Sequence, residues 1–157
     1  MDNNYERLSM LKSIFHVNIC VSNLERSIAF YEQLGFKVVN DFTLEGPDVG
    51  KSMGLDASKF RVVFIRLGDD PNATVIDLLE FLDPPTQGES YPTLNNTGLC
   101  RVAFKVDDVD AVYEKLKKMD VEFVAPIERM KGEDGNDIAF VCFKDPDGVF
   151  LEIISGM

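Results

Sequence analysis

One short phrase occurs twice in this chain, and a chain built from two copies of one unit has few ways to fold. Asp70-Pro71-Asn72-Ala73-Thr74-Val75-Ile76-Asp77-Leu78-Leu79 aligns without a gap to Asp145-Pro146-Asp147-Gly148-Val149-Phe150-Leu151-Glu152-Ile153-Ile154. Both read as a turn feeding a buried strand. Upstream, His16-Val17-Asn18-Ile19-Cys20-Val21-Ser22-Asn23-Leu24 aligns in the same way to Arg101-Val102-Ala103-Phe104-Lys105-Val106-Asp107-Asp108-Val109. Repetition of this kind makes the architecture two copies of one supersecondary unit. It also sets His16 against Arg101, and Asp77 against Glu152, at equivalent places in the two halves. His16, Asp77 and Glu152 carry groups that can ligate a metal; the guanidinium of Arg101 cannot.

Composition bounds what such a molecule can bind. At 157 residues the chain can bury about two-thirds of its unfolded surface in one body. A formal net charge of −11 argues against a nucleic-acid surface, which needs clustered Lys and Arg, and against anionic membranes. No run approaches the roughly 20 apolar residues of a membrane span. The start, Met1-Asp2-Asn3-Asn4-Tyr5-Glu6-Arg7, lacks the regions of a signal peptide. Cys20, Cys100 and Cys142 are odd in number and widely spaced, which reads as reduced thiols in the cytoplasm.

The pattern along the chain predicts an arm over 1–12, a first unit over 13–83, a Pro/Gly/Ser-rich linker over 84–98 and a second unit over 99–157. In the first unit a strand over 13–21 leads to a helix over 24–34, capped by Asn23 and closed by Gly35. A strand begins at Phe36, and a loop over 42–58 containing Gly46, Gly50 and Gly54 reads as a rim or lid. Strands over 61–67 and 74–81 complete a βαβββ order. The second unit repeats it: strand 100–106, a helix over 109–119 capped by Asp107 or Asp108, then strands near 122–125, 138–143 and 149–155. The run from Tyr113 to Lys118 reads as the solvated side of that helix.

Alternation along strands decides which side chains share a face. Asp77 shares one with Val75 and Leu79, while Glu80 points the other way. Glu152 goes with Phe150 and Ile154, Asn18 and Cys20 with His16, and Ala103 and Lys105 with Arg101.

The phrase from His16 to Phe36 and the phrase Asp145-Pro146-Asp147-Gly148-Val149-Phe150-Leu151-Glu152-Ile153 resemble the opening and closing phrases of the vicinal oxygen chelate superfamily. That group includes glyoxalase I, methylmalonyl-CoA epimerase, and the bleomycin-resistance, fosfomycin-resistance and extradiol dioxygenase proteins. The resemblance spans about 11–155 and is nearest the glyoxalase and epimerase branch. It implies an α+β fold of two βαβββ modules, forming cupped mixed sheets around a shared cavity. It also implies His16, Asp77 and Glu152 as ligands of a divalent metal (Zn, Ni, Mn, Fe or Co), with Glu152 or Asp77 as the catalytic proton carrier. The chain departs from the family pattern twice: Arg101 stands where His is usual, and Asp77 where Glu or Gln is usual.

These departures leave two readings of the cluster. Arg101 either binds a substrate anion beside a metal, or its guanidinium replaces the metal by bridging the carboxylates. The first reading is a metal-assisted enzyme, a lyase or isomerase acting on a small carbonyl substrate as a homodimer. The second is a metal-free protein that sequesters a small molecule, like the bleomycin-resistance members. An Fe(II) dioxygenase comes third, because His16 is the only histidine. Cys20 reads as a buried, inert thiol.

Overall fold

The computed structural model describes residues 11–157, so the expected arm over 1–12 lies almost wholly outside the described residues. The elements are β1 (His16–Cys20), α1 (Leu24–Gln33), β2 (Phe36–Glu45), β3 (Lys59–Leu67), β4 (Val75–Asp83), β5 (Val102–Lys105), α2 (Val109–Lys118), β6 (Glu128–Lys131), β7 (Asp137–Lys144) and β8 (Phe150–Ser155). They form two four-stranded mixed sheets in the orders β1-β4-β3-β2 and β5-β8-β7-β6. This is an α+β fold of two βαβββ modules. In each sheet the first strand runs parallel to the last, and the remaining pairs are antiparallel.

The duplication holds to the residue. Asn18 pairs with Asp77 across β1 and β4, and Ala103 pairs with Glu152 across β5 and β8. Each of these partners lies two residues after His16 or Arg101, so the two half-patterns are superimposable in register. Both helices start where their caps direct. Asn23 accepts the N–H of Arg26, and Asp108 accepts that of Ala111, satisfying donors a helix start leaves free. Gly35, at φ +98°, ends α1 in a conformation that costs any residue with a Cβ.

Two expectations are corrected. The loop placed over 42–58 starts later, because β2 continues to Glu45 and stays paired with β3 as far as Glu45–Lys59. The second strand of the second module, placed near 122–125, is β6 at Glu128–Lys131. Residues 122–124 still lean on β7, with Val124 N–H donating to Cys142 O (2.9 Å), Lys144 N–H to Glu122 O (2.9 Å) and an isolated Phe123–Phe143 bridge. Pro126 follows, and a residue without an N–H interrupts the ladder, whereas β2 in the first module runs on past a register shift between Val38 and Asn40 to Glu45.

One apolar core joins the modules. Ile19, Val21, Val63, Ile65, Ile76 and Leu78 meet Val141, Phe143, Leu151 and Ile153, with Leu24 and Tyr31 of α1 and Leu116 of α2 in the same cluster. Phe36 and Phe104 touch across the modules with ring centroids 5.5 Å apart. The opposite face of each sheet is therefore turned from this core. On the first sheet it carries a smaller apolar cluster of Phe60, Val62 and Leu79, flanked by Phe42, Phe64 and Phe81.

Candidate functional site

Alternation puts the candidate residues on these outer faces. Asp77 sits between Ile76 and Leu78, both in the core, so its carboxylate points the other way, and Glu152 does the same between Leu151 and Ile153. Glu80 faces the helix: its Oε2 accepts the N–H of Leu24 at 3.0 Å, where a carboxylate complements the α1 N-terminus. It is the wrong carboxylate for the outer face, as parity predicts.

The structure joins the four residues in two pairs. His16 Nε2 lies 4.0 Å from Asp77 Oδ2, with the imidazole 40% exposed and the carboxylate only 10% exposed. Arg101 Nε lies 2.9 Å from Glu152 Oε2, with 40% and 6% of the side chains exposed. Among the described residues no three His, Cys, Asp or Glu side chains are grouped to hold a metal. Within one chain, then, the four candidates form two separate pairs, one on each module.

The pairs differ chemically. Asp77 Oδ1 is buried and has no hydrogen-bond partner, and the contact of Oδ2 with His16 is too long for a hydrogen bond. A buried acceptor left in this state fits a cation or a donor brought by a ligand, and an imidazole nitrogen beside it completes an N/O donor pair suited to Zn, Ni, Mn, Fe or Co. Glu152 is already engaged. Arg101 supplies a charge-assisted bond and Cys142 Sγ donates to the same Oε2 at 3.5 Å. Burial, followed by that bond to Glu152, pushes the Cys142 thiol up to about 11, so it remains a donor at neutral pH. Glu152 can serve a metal only by sharing or releasing Arg101.

Around His16 the face is aromatic. Phe64, the cross-strand partner of Asp77, stacks on His16 at 6.0 Å and meets Phe15 and Phe42 edge-on at 6.0 and 5.9 Å. A cavity of about 320 Å³ lies between the linker and the start of β8, lined by Glu89, Ser90, Tyr91, Leu99, Cys100, Val149 and Phe150, and neither Arg101 nor Glu152 lines it. Cys20 is exposed, with its sulfur 4.0 Å from Thr86 Oγ1, which corrects the expectation of a buried thiol. Two neighbours of the site escaped the sequence reading. Cys142 is the cross-strand partner of Glu152, and Arg66 lies two residues beyond Phe64 on the same face. Alternation along β7 and β3 was the signal that could have found them.

Comparison with known proteins adds a family. Residues 13–153 match the model described as the Glyoxalase/Bleomycin resistance protein/Dioxygenase superfamily. A lactoylglutathione lyase from Neisseria meningitidis is 30% identical over 142 residues, covering 90% of this chain and 88% of the relative. The human mitochondrial methylmalonyl-CoA epimerase is 28% identical, covering 88% of this chain and 70% of that protein. A glyoxalase family protein from Bacillus cereus superimposes with a TM-score of 0.79 at 24% identity, covering 96% and 99% of the two chains, a likeness that bears on the fold.

Proposed function

The chain belongs to the glyoxalase/bleomycin resistance protein/dioxygenase superfamily, and from that premise we propose an enzyme of the lyase or isomerase kind that moves a proton on a small carbonyl substrate. Asp77 carries this reading. A carboxylate kept for structure would be paired, and this one holds a buried oxygen open beside a histidine.

In this reading Asp77 and Glu152 are the carboxylates that take up and return the proton. Arg101 holds Glu152 in place and offers its remaining N–H groups to a substrate oxygen or anion, where positive charge favours the developing negative charge. His16 orients against Asp77 and is backed by the Phe64 ring. The aromatic face excludes water from the reacting end of the substrate. His16, Asp77 and Glu152 would hold a divalent ion, which when bound supplies Lewis acidity toward a substrate oxygen. Because each chain presents two half-sites on faces turned from its core, the complete site belongs to a homodimer. There the His16–Asp77 half of one chain meets the Arg101–Glu152 half of the other. The three free thiols fit a reducing compartment, the cytoplasm.

The Arg101–Glu152 pair favours a second reading, a metal-free protein that sequesters an apolar ligand, because it neutralises Glu152 without a metal. Hydrogen exchange separates the two. Lactoylglutathione and methylmalonyl-CoA, which the relatives' names supply, are thioesters with an acidic α-hydrogen. Incubated in D2O with this protein and added Ni(II), Mn(II), Co(II) or Zn(II), at least one should gain deuterium at that carbon, and Asp77→Asn should abolish the gain. Tight binding of a flat aromatic compound, with exchange of neither thioester under any metal, would establish sequestration instead.

A further inference from the structure

Two side-chain atoms among the described residues are buried without a hydrogen-bond partner, and they have opposite polarity: the acceptor Asp77 Oδ1 and the donor Arg66 Nε. They lie on the same face of the same sheet. Phe64 is the cross-strand partner of Asp77, and Arg66 follows Phe64 by two residues on β3. Such diagonal neighbours stand about 7–8 Å apart at the backbone. Arg66 enters none of the ion pairs found among the described residues, although Lys37, its partner on β2, is taken by Asp69 at 2.6 Å. The positive charge of Arg66 also acts on Asp69, yet its Nε–H, on the aromatic side of the sheet, is left without a hydrogen-bond partner.

We propose that Arg66 is a ligand-binding residue, and that the ligand it selects is a small aromatic 2-hydroxy carboxylate. The acid has the parts this face lacks. Its carboxylate accepts from Arg66 in a charge-assisted bond. Its hydroxyl donates to Asp77 Oδ1. The two oxygens sit on adjacent carbons, within the reach of an extended arginine and a short aspartate. Its ring enters the cluster of Phe15, Phe42 and Phe64, where Phe15 is 66% exposed and has a face to cover. An aliphatic acid would leave that ring uncovered, and a neutral ester would leave Arg66 unpaired, so the polar pair and the ring together set the specificity. The proposal rests on the outer face of the first sheet being the substrate side of the site.

Atrolactate (2-hydroxy-2-phenylpropanoate) tests this without turnover, because it lacks an α-hydrogen. Binding is followed on chelator-treated protein by calorimetry and by amide chemical shifts, so neither a metal nor catalysis is needed. Atrolactate should bind and shift the amides of Phe64, Arg66 and Asp77. Arg66→Gln should weaken it about tenfold or more, and Arg66→Lys, which keeps the charge without the Nε donor, should recover only part. Methyl atrolactate and 2-hydroxyisobutyrate should bind more weakly than atrolactate, and the ester should be indifferent to Arg66→Gln. Thermal melts show whether both variants fold. Equal affinity in wild type and Arg66→Gln, binding that leaves the amides of Phe64 and Arg66 unshifted, or no binding at about 10 mM would each overturn the proposal. Thioester exchange can fail while this binding succeeds, so the two readings fall separately.

Discussion

An unpartnered acceptor inside a sheet face costs roughly 1–3 kcal/mol unless something outside the chain satisfies it, and Asp77 Oδ1 is such an acceptor. Glu152 presents the contrary case, a carboxylate satisfied by Arg101 and Cys142. The pair predicts opposite responses to mutation. Asp77→Asn should leave the melting temperature unchanged or higher and reduce divalent-cation affinity by more than about tenfold, read by calorimetric titration with Mn(II) or Ni(II). Arg101→Ala should destabilise. The 3–5 kcal/mol typical of breaking a buried pair is too large here, because the Arg101 side chain is 40% exposed and partly solvated. A loss of about 1–3 kcal/mol in denaturant unfolding is expected. A loss below about 0.5 kcal/mol would mean that Arg101 holds little of the free protein together and serves only a ligand. The repeat singles out His16, Asp77, Arg101 and Glu152 as candidates because it aligns them. Arg66 was not legible in the sequence, since an arginine in a strand looks like any solvated side chain until its Nε is seen buried.

At the scale of elements, the turn between β7 and β8 does more than reverse the chain. Asp147 accepts from Ser22 Oγ at 2.5 Å and Arg26 Nη2 at 2.7 Å, and Asp145 accepts from the fully buried Tyr31 hydroxyl at 3.1 Å, so this turn fastens the second module to β1 and α1 of the first. Burial raises the Asp147 carboxyl, but the bonds from Ser22 and Arg26 outweigh it and leave the group below the usual carboxylate range. At Asp145 burial instead wins over the hydrogen bonds and raises the group. The signs are opposite. Asp147 contributes stability that is present above the unfolded value near 3.9 and is lost as pH falls through its lower folded value. Asp145 contributes stability present below that unfolded value and lost as pH rises through its higher folded one. Asp147→Asn should therefore cost about 1 kcal/mol at pH 7 and flatten the fall in melting temperature below about pH 4. An unchanged acid limb would remove Asp147 from the account. The repeat showed this turn but not its partners, because contacts between residues 22 and 147 leave no local pattern. The same blindness to tertiary pairing placed a strand near 122–125, where Pro126 and β7 decide otherwise.

At the scale of the whole molecule, the shared core and the placement of the half-sites have one consequence. Both helices and the inner faces of both sheets are consumed in joining the modules, so the outer faces, with His16 and Asp77 on one and Arg101 and Glu152 on the other, are left for another surface. If a second copy supplies it in a two-fold dimer, each complete site draws on both chains. Chains carrying His16→Ala and chains carrying Glu152→Ala should each be inactive alone. Mixed after dissociation, they should recover. Random reassociation makes half of the dimers mixed, and each mixed dimer has one site with both lesions and one with neither, giving about a quarter of wild-type sites. Measured as deuterium exchange or as metal bound per chain, recovery near that level supports assembly between subunits. No recovery, with mixed dimers shown by mass spectrometry, would place the whole site within one chain. His16 and Glu152 would then have to approach by a movement of the modules about their common core, against the bonds from Ser22, Arg26 and Tyr31 to the β7–β8 turn.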